Sequence, residues 1–172
     1  MGGISATTPN DILYGTDGYC TVNSVDLGAT LGDITIQYGY TPYYPDLAQA
    51  RGNVSGTGIV TDAFFRVTVT IAEWKWTILT EVMGSVGSTS SGDSYKLGGQ
   101  AMAAMVEVSN VIVTGVQKNS GKDFKATIPK AYVTPGDIVL SEKKETGLQL
   151  TFEGLFTAAA PTTLPGYIEI EK

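Results

Sequence analysis

The sequence predicts an all-β chain: an antiparallel β-sandwich or barrel with one short α-helix at about residues 77–83 and long loops at 41–58 and 84–99. Two observations carry that prediction. Apolar residues recur with a period of two in run after run, as they do in strands with one buried face. Between the runs stand clusters of Gly, Pro, Asn, Asp and Ser, and the 172 residues include 21 glycines, which suits many turns.

The first clear strand has Ile34, Ile36, Tyr38 and Tyr40 alternating with Thr35, Gln37 and Gly39. Tyr38 and Tyr40 share its apolar register, so core burial is expected for both. Val67, Val69 and Ile71 alternate with Thr68 and Thr70 in the second. Val106 and Val108 flank Glu107, and Val111 to Val116 is a β-branched run. Leu148, Leu150 and Phe152 alternate with Gln149, Thr151 and Glu153, and Tyr167 to Ile170 forms a last short strand. Turns are expected at Asn119–Asp123, Pro135–Asp137 and Pro165-Gly166. One stretch has a helical period: Thr77 can cap it, Ile78, Leu79, Val82 and Met83 share a face, and Gly84 suits the position after the last turn. The chain reads as one domain, 1–172, without an internal repeat.

Composition narrows the chemistry. With 42% hydrophobic and 16% charged residues the chain can bury a core. A net charge of −6 disfavours a duplex-binding protein and attraction to an anionic membrane. There is no histidine, which removes His-dependent triads, His-ligated zinc and imidazole acid–base catalysis. The single cysteine, Cys20, has no intrachain partner for a disulfide and is expected to be a small buried thiol. Met1–Ala6 lacks a basic start followed by an apolar run, and no apolar stretch approaches membrane-spanning length. The expectation is a chain that folds in the cytoplasm, needs no cofactor and does not insert into a membrane.

Individual motifs mostly resolve to structural roles. Gly121-Lys122 lacks both the upstream glycine and the hydroxyl residue of a phosphate loop, so it reads as a hairpin turn. Asn53-Val54-Ser55 matches a glycosylation sequon by chance in a chain with no visible secretory leader. Glu73, Glu107 and Glu153 are the carboxylates available for acid-pair hydrolysis, but polar positions beside strand residues are expected on the outer face. Lys143-Lys144 between Glu142 and Glu145 is a solvated mixed-charge turn. Tyr43 and Tyr44, in a loop beside Pro42 and Pro45, could anchor a protein contact or stack on a sugar.

From Phe124 onward the order of pieces resembles the tail tube (major tail) proteins of long-tailed bacteriophages. A strand Ala126-Thr127-Ile128-Pro129-Lys130-Ala131 is followed by the step Gly136-Asp137-Ile138-Val139-Leu140-Ser141 and the charged turn Glu142–Glu145. Then come the strand Leu148–Leu155 and the terminal strand Tyr167–Ile170. Upstream, Val67–Ile71 leading into Thr77–Gly84 looks like the family's strand-then-helix passage.

The resemblance implies a structural virion protein, not an enzyme, that is made in the host cytoplasm and ends in the tail. Its subunits would form hexameric rings that stack into a tube, with their strands joined into an inner barrel. Partners would be other copies of itself, the tape-measure protein, the tail terminator and distal tail proteins. Phage DNA would pass through the lumen without sequence-specific binding. On this reading Thr68, Thr70, Gln149, Thr151 and Glu153 are lumen-lining candidates on a negatively charged wall. Tyr43, Tyr44, Asp46 and Arg51 are ring-stacking candidates in the 41–58 loop. The alternatives are a tail terminator or head-decoration protein and, from a different class, a carbohydrate- or protein-binding sandwich using the tyrosine cluster.

Overall fold

A computed structural model describes residues 15–45, 58–91, 94–97, 107–117, 123–141, 144–157 and 163–170. The elements are β1 (Gly15–Val22), β2 (Val25–Asp26), β3 (Thr35–Tyr43), β4 (Ile59–Ile71), α1 (Trp76–Gly87), β5 (Ser88–Ser91), β6 (Ser94–Leu97), β7 (Glu107–Gln117), β8 (Asp123–Ser141), β9 (Lys144–Gly154) and β10 (Tyr167–Ile170). The chain is all-β with a single helix among the described residues, as its periodicity predicts. The main sheet has the order β2-β1-β7-β8-β9-β4-β3, with β10 also paired to β8. Every pairing in it is antiparallel.

One core cluster holds Cys20 and Val22 of β1, Val111 and Val113 of β7, Val67, Val69 and Ile71 of β4, and Leu148, Leu150 and Phe152 of β9. In the sheet, β7, β8 and β9 stand between β1 and β4. Strands that far apart share a core only when the sheet folds over on itself, which makes a sandwich from one continuous ladder.

The bend lies where β7 and β8 change parity together. In β7 the buried residues pass from Val108 to Val111 and Val113, and in β8 from Ala126 and Ile128 to Ala131 and Val133. Each strand therefore turns two consecutive residues away from the core, Ser109-Asn110 in one and Pro129-Lys130 in the other. The two irregularities lie side by side, flanked by the pairs Ser109↔Lys130 and Val111↔Ile128. Asn110 adopts a left-handed φ of 51°, and Pro129 has no N–H to give a ladder. At about this point β8 also leaves β7 and takes β9 as its neighbour. A strand passing between layers through a local bend is the expected corner device of such sandwiches.

The opposite corner is closed by the chain leaving β2. A two-residue turn with positive φ at Asn23 (49°) and Ser24 (68°) links β1 to β2, a combination that matches the right-handed strand twist. Thr30 then bridges to Ile71, the Leu31 amide donates to the Thr70 carbonyl (2.7 Å), and the Ala72 amide donates to the Ala29 carbonyl (2.8 Å). Glu73 fastens this crossing: its Oε1 accepts the Ala29 amide at 3.1 Å, and Lys75 contacts the same carboxylate. Gly28 makes room, since a Cβ there would lie 2.6 Å from the Glu73 carboxyl carbon and its φ is +74°. Cys20 is fully buried, as its sequence context suggests, and burial, helped by the Asp26 charge, pushes its thiol up to about 12.

Several local expectations change. The helix starts before Thr77, because the Leu79 amide bonds the Lys75 carbonyl at 3.0 Å and makes Lys75 the capping position. It also runs through Gly84 to Gly87. A small hairpin comes next, Ser88↔Leu97 through Ser91↔Ser94, so 84–99 is not one long loop. The overlooked signal is Gly92-Asp93, a two-residue hairpin pair. Pro135–Asp137 is no turn: β8 runs through it with a register shift between Pro135 and Ile138, a bulge that tolerates the missing N–H. The 41–58 loop is shortened at its start, because β3 continues to Tyr43. The turn at 119–123 falls largely outside the described residues.

Both corners can be probed by substitution. Asn110→Val should destabilise the fold by about 1–2 kcal/mol in chemical denaturation, because a β-branched residue resists left-handed φ, whereas Asn110→Gly should stay near wild type. Lys75, followed by the Ala29 amide, holds the Glu73 carboxyl below its usual 4.5. The folded pKa thus lies below the unfolded one, so this contribution is present above the ordinary carboxylate range and is lost as pH falls through the folded value. Wild type should therefore lose more stability than Glu73→Gln on acidification from about pH 5 to pH 3, measured by thermal denaturation.

Candidate interaction surfaces

The polar face of β8, β9, β4 and β3 is built by strand parity. Because Val67, Val69, Ile71, Leu148, Leu150 and Phe152 point inward, the residues between them point outward. Register then sets their neighbours. Thr68 stands opposite Thr151 with the hydroxyls 3.3 Å apart, and Thr70 stands opposite Gln149. Thr134 pairs with Thr151 on the other side and Thr35 with Thr68, so four strands contribute one row of threonines. The structure thus brings Thr68, Thr70, Gln149, Thr151 and Glu153 onto a single surface.

Glu153 does not present a free charge there. Its Oε1 accepts a hydrogen bond from the Arg66 guanidinium at 3.0 Å. In the next row across the same face, Glu107 and Glu153 both register with Tyr132, and the Lys130 ammonium donates to Glu107 Oε1 at 2.8 Å. That hydrogen bond, with the carboxylate's charge, raises the Lys130 pKa. This part of the surface is therefore hydroxyl-rich and charge-compensated, where the sequence suggests a negative wall. Sequence reasoning missed Arg66, although carrying the Thr70, Thr68 parity back by one step reaches it. Thr35 and Thr134 need the register, which no single strand contains.

The second surface is an arm. β9 pairs with β4 only over Arg66–Ile71, while β3 accompanies β4 back to Ile59. The segment Ile59–Phe65 therefore extends past β9 with β3 as its only strand neighbour among the described residues. Tyr38 and Tyr40 sit here, and they are not core residues: 69% of Tyr38 and 65% of Tyr40 is exposed. Their parity is as expected, opposite the buried Phe65 and Ala63, but on the outer strand β3 the two rings themselves stay exposed. Tyr38 stacks on the buried Phe65 ring, with centroids 6.2 Å apart and planes 22° from parallel. Tyr43, Tyr44, Ile59, Val60 and Phe64 are also exposed. Asp46 and Arg51 lie outside the described residues.

Between the arm and the terminal segment runs an apolar groove of about 680 Å³, lined among others by Tyr38, Tyr40, Phe64, Leu164, Tyr167 and Ile170. At its floor Phe65 packs on Gly166, where a Cβ would come within 2.6 Å of the ring. Leu164 and Ile170 stand exposed on the far wall. Two strand edges accompany this apolar surface, because among the described residues β3 pairs only with β4 and β10 only with β8. Such a combination is suited to burying area against another protein surface and to extending a sheet across it.

Glu107 and Glu153 lie on the outer face of their strands, as expected, paired with Lys130 and Arg66, whereas Glu73 lies beyond the end of β4 at the crossing with Ala29 and pairs with Lys75. Among the described residues no group of three or more His, Cys, Asp or Glu could hold a metal ion, and no helix is long and apolar enough to cross a membrane. No protein-family model matches the chain, and no curated protein matches its sequence.

Proposed function

We propose that this chain is a self-assembling structural subunit of a phage tail tube, forming closed rings that stack around a channel. The observation that carries this reading is the arm with its groove. A well-packed sandwich leaves Tyr38, Tyr40, Ile59, Val60, Phe64, Leu164 and Ile170 exposed at one end, next to unpaired strand edges. Apolar surface of that kind on a soluble subunit marks an association site, and edges left open invite pairing with another chain. Contact between unlike surfaces of successive copies closes into a ring when the rotation allows, and a ring leaves no open edge. The sequence resemblance from Ala126 to Ile170 supplies the class of assembly.

On this reading the threonine row and its flanking residues form the channel wall. A hydroxyl surface with its cations paired offers a passing phosphate backbone nothing to hold it. Tyr43 and Tyr44, both exposed, serve contacts between stacked rings. The tape-measure protein and DNA would occupy the channel in turn.

Negative-stain electron microscopy of the purified protein tests the proposal. Wild type should give six-fold rings or tubes. Tyr38→Ser/Tyr40→Ser should give folded single subunits, with an unchanged far-ultraviolet circular dichroism spectrum. A wild-type protein that stays monomeric at all concentrations and binds glycans through its tyrosines would overturn it.

A further inference from the structure

The acidic balance of the chain has a local form that the net charge of −6 conceals. Four basic side chains are described, and three of them are in ion pairs. Arg66 is bonded to Glu153 at 3.0 Å and Lys130 to Glu107 at 2.8 Å, while Lys75 contacts Glu73. Lys125 stands directly opposite Glu169 in the β8–β10 register. Arg66 and Lys130 matter most, because both lie on the polar face with the threonine row. Their carboxylates come from other strands, so the fold, not sequence adjacency, makes the pairing.

Exposed pairs of this sort add little to stability. Their effect on a polyanion is larger. Each unpaired Lys or Arg that meets a phosphate releases a condensed counterion and strengthens binding, with a salt slope of about 0.9 per contact on duplex DNA. A ring or tube would repeat every uncovered cation many times over, turning weak single contacts into retention.

We infer that Glu153 and Glu107 act as guards on Arg66 and Lys130, keeping the polar face from binding nucleic acid by occupying its cations rather than by repelling phosphates at a distance. The two carboxylates are positioning residues: each accepts a hydrogen bond from its cation, at 3.0 Å from Arg66 and 2.8 Å from Lys130, and offsets a charge that a phosphate oxygen would otherwise meet. The face is thereby selected against polyanions as a class, without regard to sequence. The biological meaning of this device rests on the channel-wall reading, but the device itself operates in any assembly state.

The test measures binding of a short fluorescein-labelled DNA duplex by anisotropy, on the full chain, across a salt series. Wild type should not bind. Glu107→Gln/Glu153→Gln should bind at low salt, with a log–log salt slope of about 2 for the two uncovered cations of a single subunit and a steeper one for rings, and lose binding as salt rises. Asp33→Asn/Glu81→Gln makes the same change in net charge away from these pairs and should remain unbound. Adding Arg66→Gln and Lys130→Gln to the first variant should abolish its binding. The inference is overturned if the guard variant does not bind, or if the Asp33/Glu81 variant binds equally, which would make bulk charge the cause. Electron microscopy of the same samples reports ring formation separately, so failure of the assembly reading and failure of the guard are distinguishable.

Discussion

The structure depends on the bend that β7 and β8 make together at Asn110 and Pro129. Without it the ladder from β1 to β4 would be an open sheet with its apolar faces in water. With it, Val22 and Val111 meet Val69 and Phe152 in one core. The cost is local: a left-handed asparagine and a proline without an amide to give the ladder, placed where both strands must turn two residues outward. Pro129 stands within the Ala126–Ala131 stretch that carries the tail-tube resemblance. That stretch therefore has a physical reason for its composition, since it forms the corner of the sandwich.

Folding the sheet also decides what is left uncovered. Two layers cut from one ladder need not end together, and here β4 with β3 outruns β9. Strand parity continues from Ile36 through Tyr38 and Tyr40, so both rings stand on the face of the buried Phe65 and Ala63 but, on the outer strand, remain exposed. The groove against Leu164–Ile170 and the free edges of β3 and β10 result from the same mismatch. A fold optimised for a lone subunit would shorten the arm or make it polar. Retaining aromatic rings there is understandable when a second copy completes the layer.

Much of this architecture is legible in the sequence, and its limits have physical causes. Alternation identifies which side chains share a face, because it is a property of one strand. Thus Thr68 and Thr70, and Gln149, Thr151 and Glu153, fall on polar faces as their alternation predicts. Register is a property of two strands, and the threonine row and the Arg66–Glu153 pair cannot be read without it. A strand's place in the sheet is a property of the whole fold, which is why alternation alone assigns the tyrosines to the core. Pro135–Asp137 misleads for another reason: proline and glycine mark bulges as well as turns, and only pairing on both sides distinguishes them.

On the self-assembly proposal, the arm and the terminal strand are an unfinished surface completed by another copy. Backbone hydrogen exchange, compared between dilute single subunits and the concentrated assembled protein, tests it most directly. Assembly should add protection in Thr35–Tyr43, Ile59–Phe65 and Tyr167–Ile170, with the Thr68–Ile71 and Leu148–Phe152 ladders already protected and unchanged. Protection that stays the same across the arm, or that appears only on strands of the polar face, would contradict it.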